Sequence, residues 1–572
     1  MPIFQARLFD ELEPLYPDSR PEAGSARYEL SGANGAYIGV HICVNGLTPG
    51  IPLNFKVEGP HRAYKLFSLL PVPVEVNTGA DQRSEYLKDD RNENVIRRAP
   101  FFVYEILEPV FNTVLPAMTT AAFAFRTPIE YCRAKEAKQW TITVSHDGQE
   151  QVLRLDVVQY PAVIPKADQA THKYINWFSL DAIARSHRAE KWSPAFMALL
   201  ERYLRLAVYS RQNMLSISMG DFFDVDAGGK PALNEARLGA VIEVSRKAGI
   251  FLFQGGAFCG REQNLADDDA FYASLDHASF TSPEQIGAAF KQQAFDLFDN
   301  GKEAVFAITG ERVSSGKGQE QLRSALAQLN AYLDRHNLKA GWIQCCLDEP
   351  NDALKETYHL ISRITREALP GVSIMEPVLP TEAVVGDLDI WCPTVETYEK
   401  NRAFFEQRVL AGDRIFVYTC LTPGGNYCNR LLDMERLRMV WLGWAPALYS
   451  SIEGFLHWGA NHTLGHDPQK RQAAMFTEQV MEYHPKYANF LPAGDPAIFY
   501  PGHETPLSSV RSEAHRIGYE DLCLLQALAK KDVEQAAKLV KRVFRGYADY
   551  EKSVEAYRRV KRDLLELLLG YQ

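Results

Sequence analysis

Two neighbouring carboxylates are the residues best placed to do chemistry. Asp348 and Glu349 close the apolar run GWIQCCL (residues 341–347), and Pro350 and a helical pattern from Asp352 follow. A buried strand that ends on adjacent acids has two readings. In one, an acid caps the next helix and its neighbour is solvated. In the other, the chain curls at the strand's end, Pro350 imposes an extended or turn geometry on Glu349, and both acids line one pocket at slightly different depths. Trp177, Trp391, Tyr418 and Trp458 stand at or just before the ends of other strand-like runs. Rings beside carboxylates suit a sugar: the flat apolar face of a pyranose packs on the ring while acids hold hydroxyls and protonate the bond. Each ring alone reads as core, whereas several at one end of one sheet favour a pocket.

Other constellations carry less. GERVSSGKG (310–318) has five residues between Gly310 and Gly316 where a phosphate loop has four, and Gly318 stands where Ser or Thr should hold magnesium. FQGGAFCG (253–260) lacks a dinucleotide spacing and is explained by a tight turn. His462, His466 and Asp467 lie close together, but no third ligand set for a metal is evident. No Gly-x-Ser-x-Gly elbow occurs.

The elements that must position the acids change character near residue 170. Before it, β-branched and aromatic runs dominate, such as AYIGVHICV (36–44). In the run from 139 to 158, Trp140, Ile142 and Val144 alternate with polar residues, Asp147-Gly148 turns the chain, and Val152 opens the returning strand. Residues 1–168 therefore read as a β-sandwich, with the stretch 85–111 ambiguous, and 157–180 as the linker onward. Over 169–490, nine strand candidates alternate with helices, including Leu322, Leu326, Leu329 and Leu333 at helical spacing and Leu354, Tyr358 and Ile361 after the acids. That alternation predicts a parallel sheet with crossover helices, closed as a (β/α)₈ TIM-like barrel or open and doubly wound. In such barrels the C-terminal strand ends carry the site. The segment 491–572 predicts a short strand and two helices, the second running from Asp532 to about Leu569, which pack on the barrel.

The totals set limits. The 572 residues carry a net charge of −10, which disfavours nucleic acid as the main partner. No run is apolar for long enough to span a membrane. The N-terminus, with Asp10, Glu11, Glu13 and Asp18, lacks the pattern of a signal or transit peptide, so the expected location is cytoplasmic. The nine cysteines form no framework and read as free thiols.

Taken together, LDEP (347–350), VYTCLTPGGNYCNRLLD (417–433), RLRMVWLGW (436–444), GFLHWGANH (454–462) with Asp467-Pro468, and FYPG with SSVRSEAHRIGYEDLCLL (499–525) carry a resemblance. Over residues 203–528 the sequence resembles glycoside hydrolase family 123, the β-N-acetylgalactosaminidases, and their associated C-terminal domain of unknown function. The resemblance implies a β-sandwich followed by a (β/α)₈ barrel, no cofactor, and a retaining, substrate-assisted reaction in which the sugar's 2-acetamido oxygen is the nucleophile. It implies that Glu349 is the general acid and then base, its pKa raised by partial burial and the neighbouring charge. Asp348 orients the acetamido group and stabilises the oxazolinium-like intermediate. Tyr418 and Trp458 are expected to pack the ring or the acetamido group, with Trp391, Asn461 and Trp177 as further substrate contacts. Arg511 and Glu513, matched after the barrel, read as structural. The N-terminal region carries no resemblance, and exo and endo action both stay open, as does gluco against galacto preference. A catalytically silent carbohydrate-binding protein on the same scaffold is the alternative, though a binding protein has no use for a proton donor beside a second carboxylate.

Overall fold

In the computed structural model, residues 4–81, 84–85, 91–261, 303–350, 352–462 and 491–571 are described. The N-terminal region forms two sheets. One has seven strands, in the order Gln5–Asp10, Tyr37–Asn45, Thr120–Pro128, Lys65–Val74, Phe101–Val110, Pro506–Ser509 and Tyr500–Pro501. The other has five: Arg27–Asn34, Gln149–Val163, Glu136–His146, Leu53–Glu58 and Thr113–Val114. The alternation at Trp140, Ile142 and Val144 buries one face, and Asp147 and Gly148 take φ of 48° and 74° to close the hairpin. The two sheets meet through Phe55 against Phe123 (4.9 Å between centroids) and Phe125 against Trp140 (5.3 Å). Within the ambiguous stretch, residues 91–100 are irregular and Phe101–Val110 is a strand.

The next region is a closed barrel of eight strands, every neighbouring pair parallel: β1 (Lys173–Asn176), β2 (Met214–Ile217), β3 (Leu252–Gly255), β4 (Trp342–Gln344), β5 (Ser373–Pro377), β6 (Ile390–Cys392), β7 (Arg414–Thr419) and β8 (Ile452–His457). Ile175, Met214, Ile343, Met375, Cys392, Phe416 and their neighbours fill the interior. One strand candidate falls outside it. Ala304–Phe306 pairs with Cys259–Arg261 and Glu311–Arg312 in a small separate sheet, because Gly310 (φ 75°) lets the chain reverse at once and a closed barrel has no edge to accept a ninth strand. Helices α1 (Gly316–Arg335) and α2 (Lys355–Ala368) bury the leucine and tyrosine positions read from their spacing. Ser315 caps α1 by accepting from the Gly318 N–H (3.0 Å), so the glycine-serine run serves a helix start.

Further along the chain lie helices α3 (Leu437–Leu448), α4 (Val510–Ala529) and α5 (Val554–Gly570). Gly443 of α3 and Gly518 of α4 touch so closely that a Cβ on Gly443 would lie 2.4 Å from the Gly518 carbonyl carbon. The single long helix expected from Asp532 onward is instead Val533–Lys541, a hairpin of Phe544–Gly546 with Asp549–Tyr550, and α5. Arg545 closes on Asp549 across the hairpin, and Ser553 caps a fresh helix start. Val533–Lys541 and the hairpin pack on α3, as expected of the face carrying Leu539 and Val540, but α5 packs mainly elsewhere. α5 packs on α4 and on the N-terminal strands Arg27–Asn34 and Gln149–Val163, and the strand Pro506–Ser509 extends the N-terminal sheet beside Phe101–Val110. Among the described residues no helix is long and apolar enough to cross a membrane.

Buried charges stitch these parts together. Glu105, on the N-terminal sheet, accepts from Arg511 Nε (2.6 Å) and lies 3.6 Å from Arg436, all three fully buried. Arg511 also donates to the carbonyls of Arg430, Gly494 and Ala497. Glu513 pairs with Arg126 and accepts from Arg516 Nε (2.8 Å). Removing Glu105 leaves two arginines without a counter-charge, so Glu105→Ala should destabilise the fold by about 3–5 kcal/mol. A urea midpoint equal to wild type would contradict this.

Candidate active site

The acids sit where β4 runs out. Past Gln344 the strand keeps contact with its neighbour: the Cys345 N–H donates to the Gly255 carbonyl (2.9 Å), and Leu347 forms a parallel bridge to Cys259. Then the chain bends. Glu349 takes φ of 49°, in the left-handed region, where a non-glycine residue is strained. Of the extended or turn geometry expected at Glu349 before Pro350, the chain takes a sharp bend and not the extended form. Arg261 Nη2 holds the Glu349 carbonyl at 2.5 Å, and the Tyr418 hydroxyl donates to Glu349 Oε1 at 2.8 Å. Neither acid caps α2, whose N-cap position is Leu354, without a side-chain bond.

Beneath the bend lies a third acid. Glu376, on β5, is fully buried; its Oε1 accepts from the Leu347 N–H (3.1 Å) and from the Cys346 N–H, and Tyr358 reaches it at 3.5 Å. Burial pushes the Glu376 carboxyl well above the usual carboxylate range, against the pull of the two backbone N–H bonds. Asp348 and Glu349 are both reached by solvent. Protein still crowds the Asp348 carboxyl, and lost hydration with the charge of Glu349 pushes it up to about 7, against the pull of Arg261.

The aromatic expectations divide. Tyr418, near the end of β7, and Trp177, just past β1, are partly exposed and abut the barrel interior. Trp177 Nε1 donates to Gln254 at 2.9 Å. Trp458, just past β8, is partly exposed, and its Nε1 donates to Asp495 at 3.1 Å. Asp495, Glu349 and Asp348 all act on Cys420: burial first, then these charges, hold its thiol protonated. Trp391 does not join them. Ile390 and Cys392 face the barrel interior, so strand alternation turns Trp391 outward, where it is fully buried against Phe404 and Phe405 with Nε1 on Asp413. Asn461 is buried, and its amide is bonded at both ends to the Ser179 backbone (2.9 and 3.1 Å), which anchors the loop after β8. His462 reaches the Trp177 carbonyl and is held neutral, its pKa pushed down by burial to about 4. His466 and Asp467 lie outside the described residues; among those described, no group of three or more acids, histidines and cysteines could hold a metal.

The 417–433 motif shapes the mouth by docking on the N-terminal region. Asp433 accepts from Thr78 (N–H 2.8 Å, Oγ1 2.7 Å) and Asn77 (3.0 Å), and the Gly424 N–H donates to the Asp81 carbonyl (2.6 Å). A Cβ on Gly424 would strike the Gly79 carbonyl at 2.2 Å.

Glu376, Arg261, Gln254 and Asp495 were not singled out in the sequence. For Glu376 a signal existed: one acid inside the apolar strand SIMEP. Because it grips the two residues before the acid pair, Glu376→Ala should lower kcat by about 10²-fold, the scale of a small misplacement of reacting groups. Glu376→Gln, which keeps an oxygen for those two N–H groups, should restore most of the loss. Equal damage in both variants, or a loss tracking Tm alone, would refute the positioning role.

Residues 279–528 match the family model for the glycoside hydrolase 123 catalytic domain. Among solved structures, a family 123 glycoside hydrolase from Clostridium perfringens, studied for glycolipid glycan hydrolysis, aligns at 13% identity and TM-score 0.68, covering 100% of this chain and 98% of that one. A Parabacteroides merdae β-glucuronidase aligns at 8% identity and TM-score 0.31 over 82% of this chain and 49% of that one. A family 10 xylanase from termite gut aligns at 9% and 0.32, over 70% and 90%. No curated protein sequence matches the chain.

Proposed function

We propose, from the match of residues 279–528 to the glycoside hydrolase 123 catalytic-domain model, that the chain is a family 123 glycoside hydrolase and a retaining β-N-acetylgalactosaminidase, exo or endo, acting on glycans of the glycolipid type. The observation that supports the reading most is the acid pair at the end of β4, with Tyr418 on Glu349 and the Asp348 carboxyl pushed to about 7. In the proposed reaction the acetamido oxygen attacks the anomeric carbon as Glu349 gives its proton to the departing oxygen. Asp348 accepts the acetamido N–H and faces the positive charge of the oxazolinium. Water then opens that ring at the anomeric carbon and Glu349 takes the water's proton, so configuration is retained and the donor is restored.

Crowding raises the proton affinity of Asp348, whereas the reaction wants that carboxyl ionised. Substrate supplies the correction: an acetamido N–H donated to Asp348 favours its ionised form. The pair then passes one proton between two coupled carboxyls, which makes the acetamido group a switch as well as a nucleophile. Trp177 and Trp458, partly exposed at the strand ends, offer ring faces to the sugar. Release of product from matched aryl β-N-acetylgalactosaminide, β-N-acetylglucosaminide and β-galactoside tests this, with a glycolipid glycan panel read by mass spectrometry. Turnover of the β-galactoside as fast as of the acetamido sugars would end the proposal.

A further inference from the structure

A groove on the N-terminal region shares no residue with the barrel mouth. It encloses about 720 Å³ and is lined by Arg62, Tyr64, Lys65, Phe67, Phe111 and Asn112 among others, a volume in the range of small-molecule sites. Its floor follows from strand pairing. Leu66, opposite Val110, turns into the core, so Lys65 and Phe67 face the other way. Phe111 follows the strand Phe101–Val110 and is 91% exposed. Tyr64 is held in place by the core, stacked on Phe125 at 5.8 Å and edge-on to Trp140 at 6.0 Å, with its hydroxyl 3.4 Å from the Asn112 amide nitrogen.

The charge of the groove is at odds with that of the chain. The protein carries −10 overall, yet Arg62 and Lys65 line the groove and no acid does. Among the described residues neither cation has an ion-pair partner, whereas nearby Lys56 pairs with Glu58 at 3.0 Å. An open concavity thus combines an exposed phenyl ring, a fixed tyrosine ring, an amide and two uncompensated cations. Rings suit the apolar face of a sugar. The amide suits hydroxyls, and the cations suit a carboxylate or sulfate. A lipid surface asks instead for a projecting apolar ridge; Leu115 and Met118 are exposed nearby but do not line the groove.

We propose that this groove is a second saccharide site that takes a sugar bearing a carboxylate or sulfate. It would hold the acidic part of a glycan, or of a neighbouring one, independently of catalysis. Calorimetric titration of the full chain with sialyllactose, sulfated lactose and plain lactose tests it. At least one acidic sugar should bind about tenfold or more tightly than lactose, and added salt should weaken it. Phe111→Ala and the double change Arg62→Gln with Lys65→Gln should each weaken that binding about tenfold or more, with hydrolysis of a small aryl glycoside unchanged. No binding of either acidic sugar, equal binding of lactose, or binding untouched by the substitutions would overturn the proposal. So would Phe111-dependent binding to glycan-free phosphatidylserine vesicles without saccharide binding, which would make the surface a lipid contact. The aryl-glycoside rate reports on the barrel separately, so failure here and failure of the hydrolase reading are distinguishable.

Discussion

Glu349→Gln should lower kcat/KM on a natural glycan by about 10²–10⁴-fold, the usual contribution of a positioned proton donor. The substitution is mild in shape. The amide keeps an oxygen where Glu349 Oε1 accepts from the Tyr418 hydroxyl (2.8 Å), and the backbone grip of Arg261 does not involve the side chain. What is lost is the proton delivered to the departing oxygen. A dinitrophenyl leaving group needs no proton, so its first step should be nearly normal, and added azide should speed release of the intermediate by replacing base-assisted water. Losses of equal size on natural and activated substrates would contradict the assignment of Glu349 as donor.

Asp348→Asn should be as damaging in a different pattern. On the reading proposed, Asp348 faces the cationic intermediate, so its loss should slow substrates regardless of leaving group, by about 10²–10³-fold, as for other removed electrostatic stabilisers. A thiazoline mimic of the cyclic intermediate should bind wild type tightly and the variant poorly. The pH dependence has a definite sign. With its pKa near 7, Asp348 is neutral below that value and charged above it. Wild-type kcat/KM should therefore fall as pH drops through about 7, and Asp348→Asn should remove that limb, since an amide does not titrate there. A limb unchanged in Asp348→Asn would reassign the titration to another group. A sugar covalently attached to either acid would point to an ordinary two-carboxylate mechanism in place of the substrate-assisted one.

Local chemistry made much of this legible in advance. Side-chain periodicity depends on neighbours a few residues apart, so the alternation at Trp140, Ile142 and Val144, the Asp147-Gly148 turn and the leucine spacing of α1 could be read directly. The abrupt change from an apolar run to two acids marked the end of β4 for the same reason. What lay beyond reach depends on groups distant in the chain. Whether Trp391 faces the pocket or the surrounding helices turns on which face of β6 the closed barrel encloses. Asn461 looks free until Ser179, far away in sequence, takes both ends of its amide. The strand candidate at 304–306 was a sound local reading, and it was the closure of eight other strands that excluded it. Glu349's φ of 49° likewise overrides the local preference that Pro350 sets, in a bend gripped by Arg261 and Tyr418. Even the raised proton affinity of Asp348, which the sequence reading did not assign to it, rests on the protein packed around its carboxyl. Desolvation is a property of the surroundings, and those come from the folded chain.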